Sequence, residues 1–235
     1  KHYNLTINSR NLGFGIKYLT LSCEKQGYES QSLSLTIKVI KRPTQLRILL
    51  NGTDKTIDPS LEVPIRSDLG ISILYLDTIS GSLVSSANVE LTGEGLNITL
   101  EKVGGSYFAL VDSLDLDIGT KYLTLYASRG NYSEASSVVK VDVRRIEAKV
   151  QTAENKTVYN IKPGESITFK LSLKDLDFNK TLTNATVKYT WQNGQGELKD
   201  EDGDGIYELE LNNVPEGTYT ITITVFAGDD YEFER

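Results

Sequence analysis

Apolar and polar residues alternate along most of the chain, in short runs separated by Gly, Pro, Asn and Asp. The alternation is clear at residues 71–75 (ISILY), 87–91 (ANVEL) and 121–127 (KYLTLYA). A period of two over a short run is typical of β-strands that bury one face, and the residues between the runs favour turns. The pattern therefore predicts an all-β protein, with about seven strands between residues 44 and 145.

One heptapeptide recurs along the chain. The sequence GTKYLTL at residues 119–125 repeats GIKYLTL at residues 15–21, which lies 104 positions earlier, and GTYTITI at residues 217–223 is a looser copy. A related offset of 98 aligns Asp77 with Asp175. An internal period of about 100 residues matches the size of one β-sandwich domain. The chain is therefore expected to consist of consecutive versions of one module.

The repeat predicts three modules with defined boundaries. Residues 1–43 match the C-terminal half of a module and are expected to form three strands, which bury too little surface to fold well alone. Residues 44–145 make a complete module. Residues 146–235 follow the same plan but stop before the strand that residues 138–143 supply in the second module.

Two groups of residues carry a resemblance to known domains. Gly217-Thr-Tyr219 resembles the Gly-x-Tyr corner of immunoglobulin-like domains, with Ile221 in place of the usual second Cys and Trp191 on the strand that often holds a core Trp. The run Tyr75-Leu-Asp77, followed by ANV at residues 87–89 and echoed in the third module, resembles tandem Ig-like repeats of large archaeal cell-surface proteins, a pattern shared with bacterial adhesin repeats. The resemblance implies tandem immunoglobulin-like β-sandwich domains of about 100 residues each, exposed at a cell surface, and it implies no reaction.

Charge and hydropathy exclude several classes of partner. The net charge is -7 and the sequence pI is about 4.9, which argues against binding to nucleic acid or to an anionic membrane, since both need a basic stripe. No run approaches the 18 apolar residues of a membrane span, so direct membrane insertion is not expected. The Lys and Arg residues are scattered except for the doublets Lys41-Arg42 and Arg144-Arg145, which lie at matching repeat positions and predict module joints.

Histidine and cysteine are too rare for the usual catalytic sites. His2 is the single His, so neither main module can hold a Ser/His/Asp or Cys/His constellation or a histidine zinc site, and an enzyme is not expected. Cys23 is the single Cys, so no internal disulfide is possible. The repeat places Ala127 at the equivalent position, which predicts that Cys23 is a small buried side chain.

Glycosylation sequons are more frequent than chance predicts. With 14 Asn and 42 Ser and Thr, random pairing would give about 2.5 sequons. The chain has seven, at Asn4, Asn51, Asn97, Asn131, Asn155, Asn179 and Asn184. The excess favours an N-glycosylated extracellular protein at a cell surface. The alternative is that turn-rich β proteins place Asn beside Ser and Thr for structural reasons.

One acidic loop resembles the start of a calcium site. Asp200, Asp202 and Asp204 in the sequence DEDGDG match the opening of a calcium-binding loop, which then needs a carboxylate at its twelfth position. That position is Leu211, and an Asp-Gly hairpin turn explains the same residues. Calcium is the one ion the sequence suggests, and no other cofactor is implied.

Tyrosines provide the remaining candidate sites. Six tyrosines occupy strand positions that recur or alternate, and they are expected to be core and corner tyrosines: Tyr18, Tyr107, Tyr122, Tyr189, Tyr207 and Tyr219. A second set follows the turn after the repeated heptapeptide and is expected to lie exposed at one end of each module: Tyr28, Tyr132 and Tyr231. These three are the predicted binding edge for a sugar or a protein.

The sequence favours a non-catalytic extracellular segment that acts as a spacer, coat or adhesion stalk. Its expected partners are neighbouring Ig-like modules of the same or another chain, and a surface glycan or protein. One alternative is a carbohydrate- or protein-binding module that uses loops at one end of a sandwich. Another is a filament subunit completed by strand donation, because the third module is predicted without its last strand.

Overall fold

The computed structural model of the chain describes residues 2–234, which form short strands and two 3₁₀ turns, Ser9–Asn11 and Ser113–Asp115. In chain order the strands are β1 (Gly15–Cys23), β2 (Gln31–Val39), β3 (Thr44–Leu50), β4 (Thr53–Asp54), β5 (Ser60–Pro64), β6 (Asp68–Asp77), β7 (Asn88–Gly93), β8 (Leu96–Thr99), β9 (Glu101–Val103), β10 (Ser106–Asp112), β11 (Gly119–Ser128), β12 (Ala135–Arg144), β13 (Ile146–Thr152), β14 (Ile167–Asp175), β15 (Lys180–Thr181), β16 (Thr186–Trp191), β17 (Gly194–Leu198), β18 (Ile206–Leu211), β19 (Thr222–Phe226) and β20 (Tyr231–Phe233). Within this described range, no helix is long and apolar enough to cross a bilayer.

The sheets have the strand order of immunoglobulin-like sandwiches. One sheet runs β4-β3-β6-β10-β9 and another β5-β12-β11-β7-β8, with β5 parallel to β12. Of these, β3-β6-β10-β9 and β7-β11-β12 correspond to the two sheets of an Ig domain. A second pair of sheets runs β15-β14-β13-β20, with β18 also on β14, and β17-β16-β19. The predicted fold class, all-β with tandem Ig-like β-sandwiches, is confirmed.

Burial follows the period-two pattern from which the strands were predicted. Along β6 every second residue is buried, from Leu69 through Tyr75 to Asp77. On β11, Leu123, Leu125 and Ala127 have no exposed surface, while the residues between them face outward. The apolar side chains of the alternation are therefore the ones that form the core.

Contacts along the chain divide it into two compact units. The first comprises Lys1–Pro59, Gly70–Ala109 and Leu123–Val139, and the second comprises Ser60–Leu69, Leu110–Tyr122 and Lys140–Arg235. Residues of the predicted middle module occur in both units. The module boundaries after residues 43 and 145 therefore stay predictions from the repeat.

In the first unit, β1 and β2 form a two-stranded antiparallel sheet in which Leu19 lies opposite Leu35. The third strand expected here, at residues 3–7, does not form. Cys23 is exposed, so the prediction of a buried thiol is wrong. The equivalent Ala127 is buried because its hairpin is part of a sandwich, whereas the β1–β2 hairpin leaves the same face uncovered.

Two tyrosines make the same pair of hydrogen bonds about one repeat apart. Tyr107, with 2% of its surface exposed, donates its hydroxyl to the Val84 carbonyl at 2.7 Å and accepts from the Ala87 amide at 2.9 Å. Tyr207 donates to the Leu182 carbonyl at 3.2 Å and accepts from the Ala185 amide at 2.9 Å. Each hydroxyl ties the chain segment that leads into the next strand, β7 or β16, to the core.

The expectation of a core tyrosine is wrong for Tyr18, which is 77% exposed, and for Tyr122, which is 57% exposed. Leu123, the neighbour of Tyr122, is fully buried. Since successive side chains of a strand point to opposite faces, the tyrosine of the repeated heptapeptide lies on the outer face of β11.

Candidate functional site

The feature with the most specific side-chain chemistry is a joint in the second unit, at the end of β12. Arg144 Nη1 and Nη2 donate to Asp177 Oδ2 and Oδ1 at 2.7 and 2.6 Å, forming a two-pronged contact. Arg144 Nε also donates to Glu62 at 3.1 Å. Only Arg145 separates β12 from β13, so the guanidinium reaches across the shortest connection between two predicted modules. We call Arg144, Arg145 and Asp177 the Arg144 joint.

The Arg144 joint is electrostatically well matched. The hydrogen bonds from Arg144 hold the pKa of the Asp177 carboxyl below its usual value, although burial opposes the shift. The same contact raises the pKa of Arg144. Side-chain exposure is 30% for Arg144 and 15% for Asp177, so both charges are partly removed from water. Bidentate, partly desolvated pairs are stronger and more directional than ordinary surface ion pairs.

Backbone contacts lock the same connection in place. Asp177 Oδ2 accepts the Glu147 amide at 2.8 Å, and Arg145 Nε donates to the Asp229 carbonyl at 2.7 Å. The Ile146 amide donates to the Asp230 carbonyl at 2.8 Å. The chain on both sides of residue 145 is therefore held by hydrogen bonds to residues far away in the sequence.

A second arginine adds to these contacts. Arg66 Nη2 lies 2.6 Å from Asp230 Oδ2, and the Arg66 guanidinium lies 5.8 Å from the centre of the Tyr231 ring. Burial raises the pKa of the Tyr231 hydroxyl. Tyr231 is thus a half-buried residue packed beside the Arg144 joint rather than an open side chain at a module end.

The first unit contains a related arrangement at the other basic doublet. Arg42 Nε and Nη2 lie 2.8 and 2.5 Å from Asp77 Oδ2, and Lys41 contacts Glu134 at 2.9 Å. The Arg42 amide donates to the Asn131 carbonyl, and its carbonyl accepts the Ser133 amide. The two doublets are therefore similar. In each, an arginine binds an aspartate near a strand end: Asp77 is the last residue of β6, and Asp177 lies two residues after β14. The backbone beside each doublet is also hydrogen-bonded to a distant loop, at residues 131–133 or at residue 230.

Asp77 is one of the few buried charged residues described, with 3% of its surface exposed. Burial by itself would raise its pKa, but the Ile79 amide and Arg42 donate hydrogen bonds that outweigh this, and the pKa is lowered. The carboxylate is therefore ionised at neutral pH and holds both its own turn and the arginine of the linker.

The sequence indicates some of the residues that make these contacts. The basic doublets predict joints, but no sequence pattern pairs Asp177 with an arginine. Arg66 and Glu62 were missed, because no local pattern connects them to residues more than 80 positions away. Their role depends on the tertiary structure.

A pH dependence follows from the lowered pKa of Asp177. A carboxyl whose pKa is depressed in the folded state contributes stability that is complete above its unfolded pKa of about 4 and is lost as the pH falls through the folded pKa. Asp177→Asn is expected to lower the melting temperature by about 5 °C at pH 7, and the difference should shrink as the pH falls below about 4. Trp191 fluorescence, followed against temperature at each pH, measures it. A difference that stays constant with pH would contradict the role of this carboxylate.

The three tyrosines of the predicted binding edge differ in how exposed they are. Tyr28 is 71% exposed, with Lys25 Nζ 4.8 Å from the centre of its ring. Tyr132 is half-buried and forms a parallel β-bridge with Arg42, which lies in the connection between β2 and β3. Tyr231 is half-buried near the Arg144 joint. The binding role of all three stays a prediction, and Tyr28 is the member with an accessible ring.

The sequon asparagines share one property. All seven are exposed. Asn51 also has a structural role, since its Oδ1 accepts the Gly70 amide at 2.7 Å and its φ of +47° is one that asparagine tolerates. Exposure is required for glycan attachment, and glycosylation at these sites stays a prediction.

The acidic loop brings its three carboxylates together. Carboxylate oxygens of Asp200, Asp202 and Asp204 lie within 4.8 Å of one another. Each also caps a nearby backbone amide, as an Asp-rich turn does: Asp200 that of Gly205 at 3.0 Å, and Asp204 that of Ile206 at 2.8 Å. Leu211, at the twelfth position, ends β18 and is buried. The loop can offer three of the six to eight oxygens that calcium takes, which predicts at most weak binding.

The calcium hypothesis has a direct test. If the loop binds calcium with a dissociation constant near 1 mM, about 10 mM calcium should raise the melting temperature of the third module by a few degrees relative to EDTA. Asp202→Asn should remove the shift, and magnesium at equal concentration serves as the ionic-strength control. An identical melting temperature in calcium and EDTA would eliminate Asp200, Asp202 and Asp204 as ligands.

A surface depression of about 530 Å³ lies beside β3 and β4, and Asp54 and Asp58 both line it. Asp54, one of these two carboxylates, accepts hydrogen bonds from Thr56 and Arg47, which lower its pKa to about 2. A carboxyl that is ionised throughout the physiological range cannot act as a general acid. Asp54 is therefore unable to serve as the proton donor of a catalytic site in this depression.

Comparisons with known proteins return structural similarity without sequence similarity. No protein-family model matches the chain, and no curated protein matches its sequence. The fibronectin(III)-like modules of CbhA from Clostridium thermocellum are 17% identical, with 78% of this chain and 87% of that one covered and a TM-score of 0.29. The Escherichia coli adhesin FdeC is 12% identical, with 92% and 71% covered and a TM-score of 0.30. The adhesin InvE of Yersinia pseudotuberculosis is 12% identical, with 78% and 58% covered and a TM-score of 0.29. Scores this low carry no argument about what the chain does, and the archaeal part of the resemblance finds no support among these structures.

Proposed function

We propose that this chain is a non-catalytic, extracellular segment of Ig-like repeats that acts as a spacer or adhesion stalk at a cell surface. The observation that carries the proposal is the bidentate contact between Arg144 and Asp177, which spans the connection between two predicted modules. A stalk has to transmit position and force along its length, and a hydrogen-bonded joint does this where a free linker does not.

The connections themselves support the proposal. A single residue separates β12 from β13, and four residues separate β2 from β3. Neither connection is rich in Gly or Ser, the composition of flexible linkers. Each carries an arginine that binds an acidic side chain at the end of β6 or just after β14. Each basic doublet therefore supplies an arginine that binds an aspartate at the connection.

The extracellular assignment rests on the seven exposed sequons. Glycans at these positions would cover surface outside the core and hinder pairing of exposed strand edges with other chains. Expression in a glycosylating eukaryotic host, followed by mass spectrometry of the sequon peptides, tests which sites accept a glycan. Asn51 is expected to be modified least, because its side chain is held by the Gly70 amide.

Stiffness at the Arg144 joint is the property that tests the function. With Cys23→Ser removing the native thiol, spin labels are introduced as Leu114→Cys and Glu210→Cys, two exposed positions of the second unit. Pulsed electron resonance should then give one narrow distance distribution. Asp177→Ala should broaden it, and Asp54→Ala, which removes an exposed acidic partner of Arg47 elsewhere, should leave it unchanged. A broad distribution in the parent chain would refute the rigid-joint spacer.

A binding role is the second candidate, and the exposure of Tyr28 favours it. The ring is 71% exposed and stands beside Lys25, a pair able to contact a sugar ring or an acidic peptide. Tyr28→Ala should abolish binding to a glycan array without lowering the melting temperature. The same pattern of binding in the variant and the parent chain would remove Tyr28 from consideration.

A further inference from the structure

One sheet of the middle module has apolar residues on its outer face, where antiparallel sheets are usually polar. Leu74 and Leu76 on β6 and Leu49 on β3 alternate with buried residues, so they point away from the core, and each is partly exposed. Phe108 on β10 is likewise outward and partly exposed. The pairing of β9 with β10 puts Val103, which is 55% exposed, on the same side as Phe108. We call these five residues the outer apolar face.

The outer apolar face is continuous across its strands. β3 pairs directly with β6, with Leu49 opposite Ser72. A Cβ added at Gly70 of β6 would lie 3.5 Å from the Phe108 ring, so this ring covers the surface of the neighbouring strand. All five residues lie between positions 49 and 108, far from either end of the sequence.

The equivalent face of the third module is charged. Leu76 corresponds to Lys174 at the repeat offset of 98, and Phe108 corresponds to Glu208, since each follows an equivalent buried tyrosine. Lys174 and Glu208 are exposed, and Glu208 forms a 2.5 Å ion pair with Lys170 on the neighbouring strand. The same fold is therefore built without apolar residues at these positions. Folding of the module does not account for the outer apolar face, which indicates a binding surface.

Charge on the two sides of this face indicates what binds there. Arg47, whose side chain is 54% exposed, points outward from β3, and Glu101 points outward from β9, opposite Phe108. β3 and β9 lie on opposite sides of the β6–β10 pair. A two-fold axis in the plane of contact brings the β3 side of one copy onto the β9 side of another. A face with one basic and one acidic side is thus complementary to a copy of itself.

We propose that the outer apolar face binds the same face of a second copy of the chain and forms a two-fold symmetric dimer. Leu49, Leu74 and Phe108 form the centre of the contact, and Arg47 of each copy meets Glu101 of the other. The dimer goes beyond the spacer function, which does not require that copies associate and which stands if the dimer does not form.

The size of the face predicts how tightly the copies bind. Four strands about 4.8 Å apart and about seven residues long cover about 450 Å² per copy. Stable interfaces bury about 800 Å² per partner, and smaller ones belong to weak complexes. The dissociation constant is therefore expected between about 10 µM and about 1 mM.

Sedimentation equilibrium of the chain from about 1 µM to about 1 mM tests the proposal. The mean mass is expected to rise with concentration from 26.1 kDa toward twice this value, and not beyond, because a two-fold contact is closed. A chain that stays monomeric at 1 mM would show that this face does not bind a copy of itself. Growth beyond a dimer would equally overturn the proposal.

The third module supplies the substitutions that test the face. The double variant Leu76→Lys and Phe108→Glu introduces the residues found at the equivalent positions, and it should weaken the dimer by at least about tenfold. Val138→Lys is the control, because Val138 is 50% exposed on the other sheet of the same module and should leave the dimer unchanged. Melting temperatures at 1 µM show whether each variant is folded. A dimer that survives the double variant, or that Val138→Lys disrupts, would place the contact elsewhere.

Exchanging the two charges tests the two-fold arrangement. Arg47→Glu and Glu101→Lys should each weaken the dimer, because each makes the two meeting charges alike. The variant that carries both substitutions should dimerise more tightly than either single variant, since opposite charges meet again. A double variant no tighter than the single ones would show that these two residues do not meet across the contact and would refute the proposed dimer.

Discussion

Replacing Leu125 by alanine is expected to lower the free energy of unfolding by about 3 kcal/mol. Leu125 lies in the repeated heptapeptide on β11 and has no exposed surface, so the substitution leaves a cavity in a close-packed core. Urea denaturation followed by circular dichroism measures the loss.

The repeat supplies a matched control for this substitution. Leu21 occupies the same place in the first copy of the heptapeptide but is 41% exposed in the β1–β2 hairpin. Leu21→Ala is expected to cost less than about 1 kcal/mol. Equal losses for the two substitutions would mean that the hairpin face is buried after all.

Removing one buried hydroxyl is expected to have the second-largest effect. Tyr107→Phe leaves the Val84 carbonyl and the Ala87 amide without their shared partner, at a cost of about 2 kcal/mol. The contribution is larger than that of an average hydrogen bond because both backbone groups lose their partner.

The third module offers the same experiment at Tyr207, whose hydroxyl bonds the equivalent segment. Tyr207→Phe should show a similar loss in unfolding followed by the fluorescence of Trp191. Tyr122→Phe, at a position 57% exposed, should change stability by less than about 0.5 kcal/mol. If all three substitutions cost the same, the paired hydrogen bonds contribute nothing specific.

The local pattern was sufficient to predict where strands form, but not which strand faces are buried. The alternation at residues 121–127 predicted β11 and, read strictly, also its faces, since Leu123 is buried and Tyr122 is not. The same heptapeptide at residues 15–21 forms an equally regular strand, yet Cys23 two places on is exposed. A period of two identifies which face is apolar, but burial depends on whether another layer covers it.

The candidate sites divide in the same way. Sequence placed the basic doublets at joints and grouped Asp200, Asp202 and Asp204, because these residues are neighbours along the chain. It could not pair Arg144 with Asp177 and Glu62, or Arg66 with Asp230, since those partners are between 33 and 164 positions apart.

The sequence by itself determined the all-β class, the tandem repeat and the distribution of charged residues along the chain, because these follow from periodicity, self-similarity and the order of residues. The tertiary structure alone decided which arginines are bound to aspartates, which tyrosines are buried in the core, and which strand faces are covered. These properties arise when residues far apart in sequence come into contact, and no local pattern records those contacts.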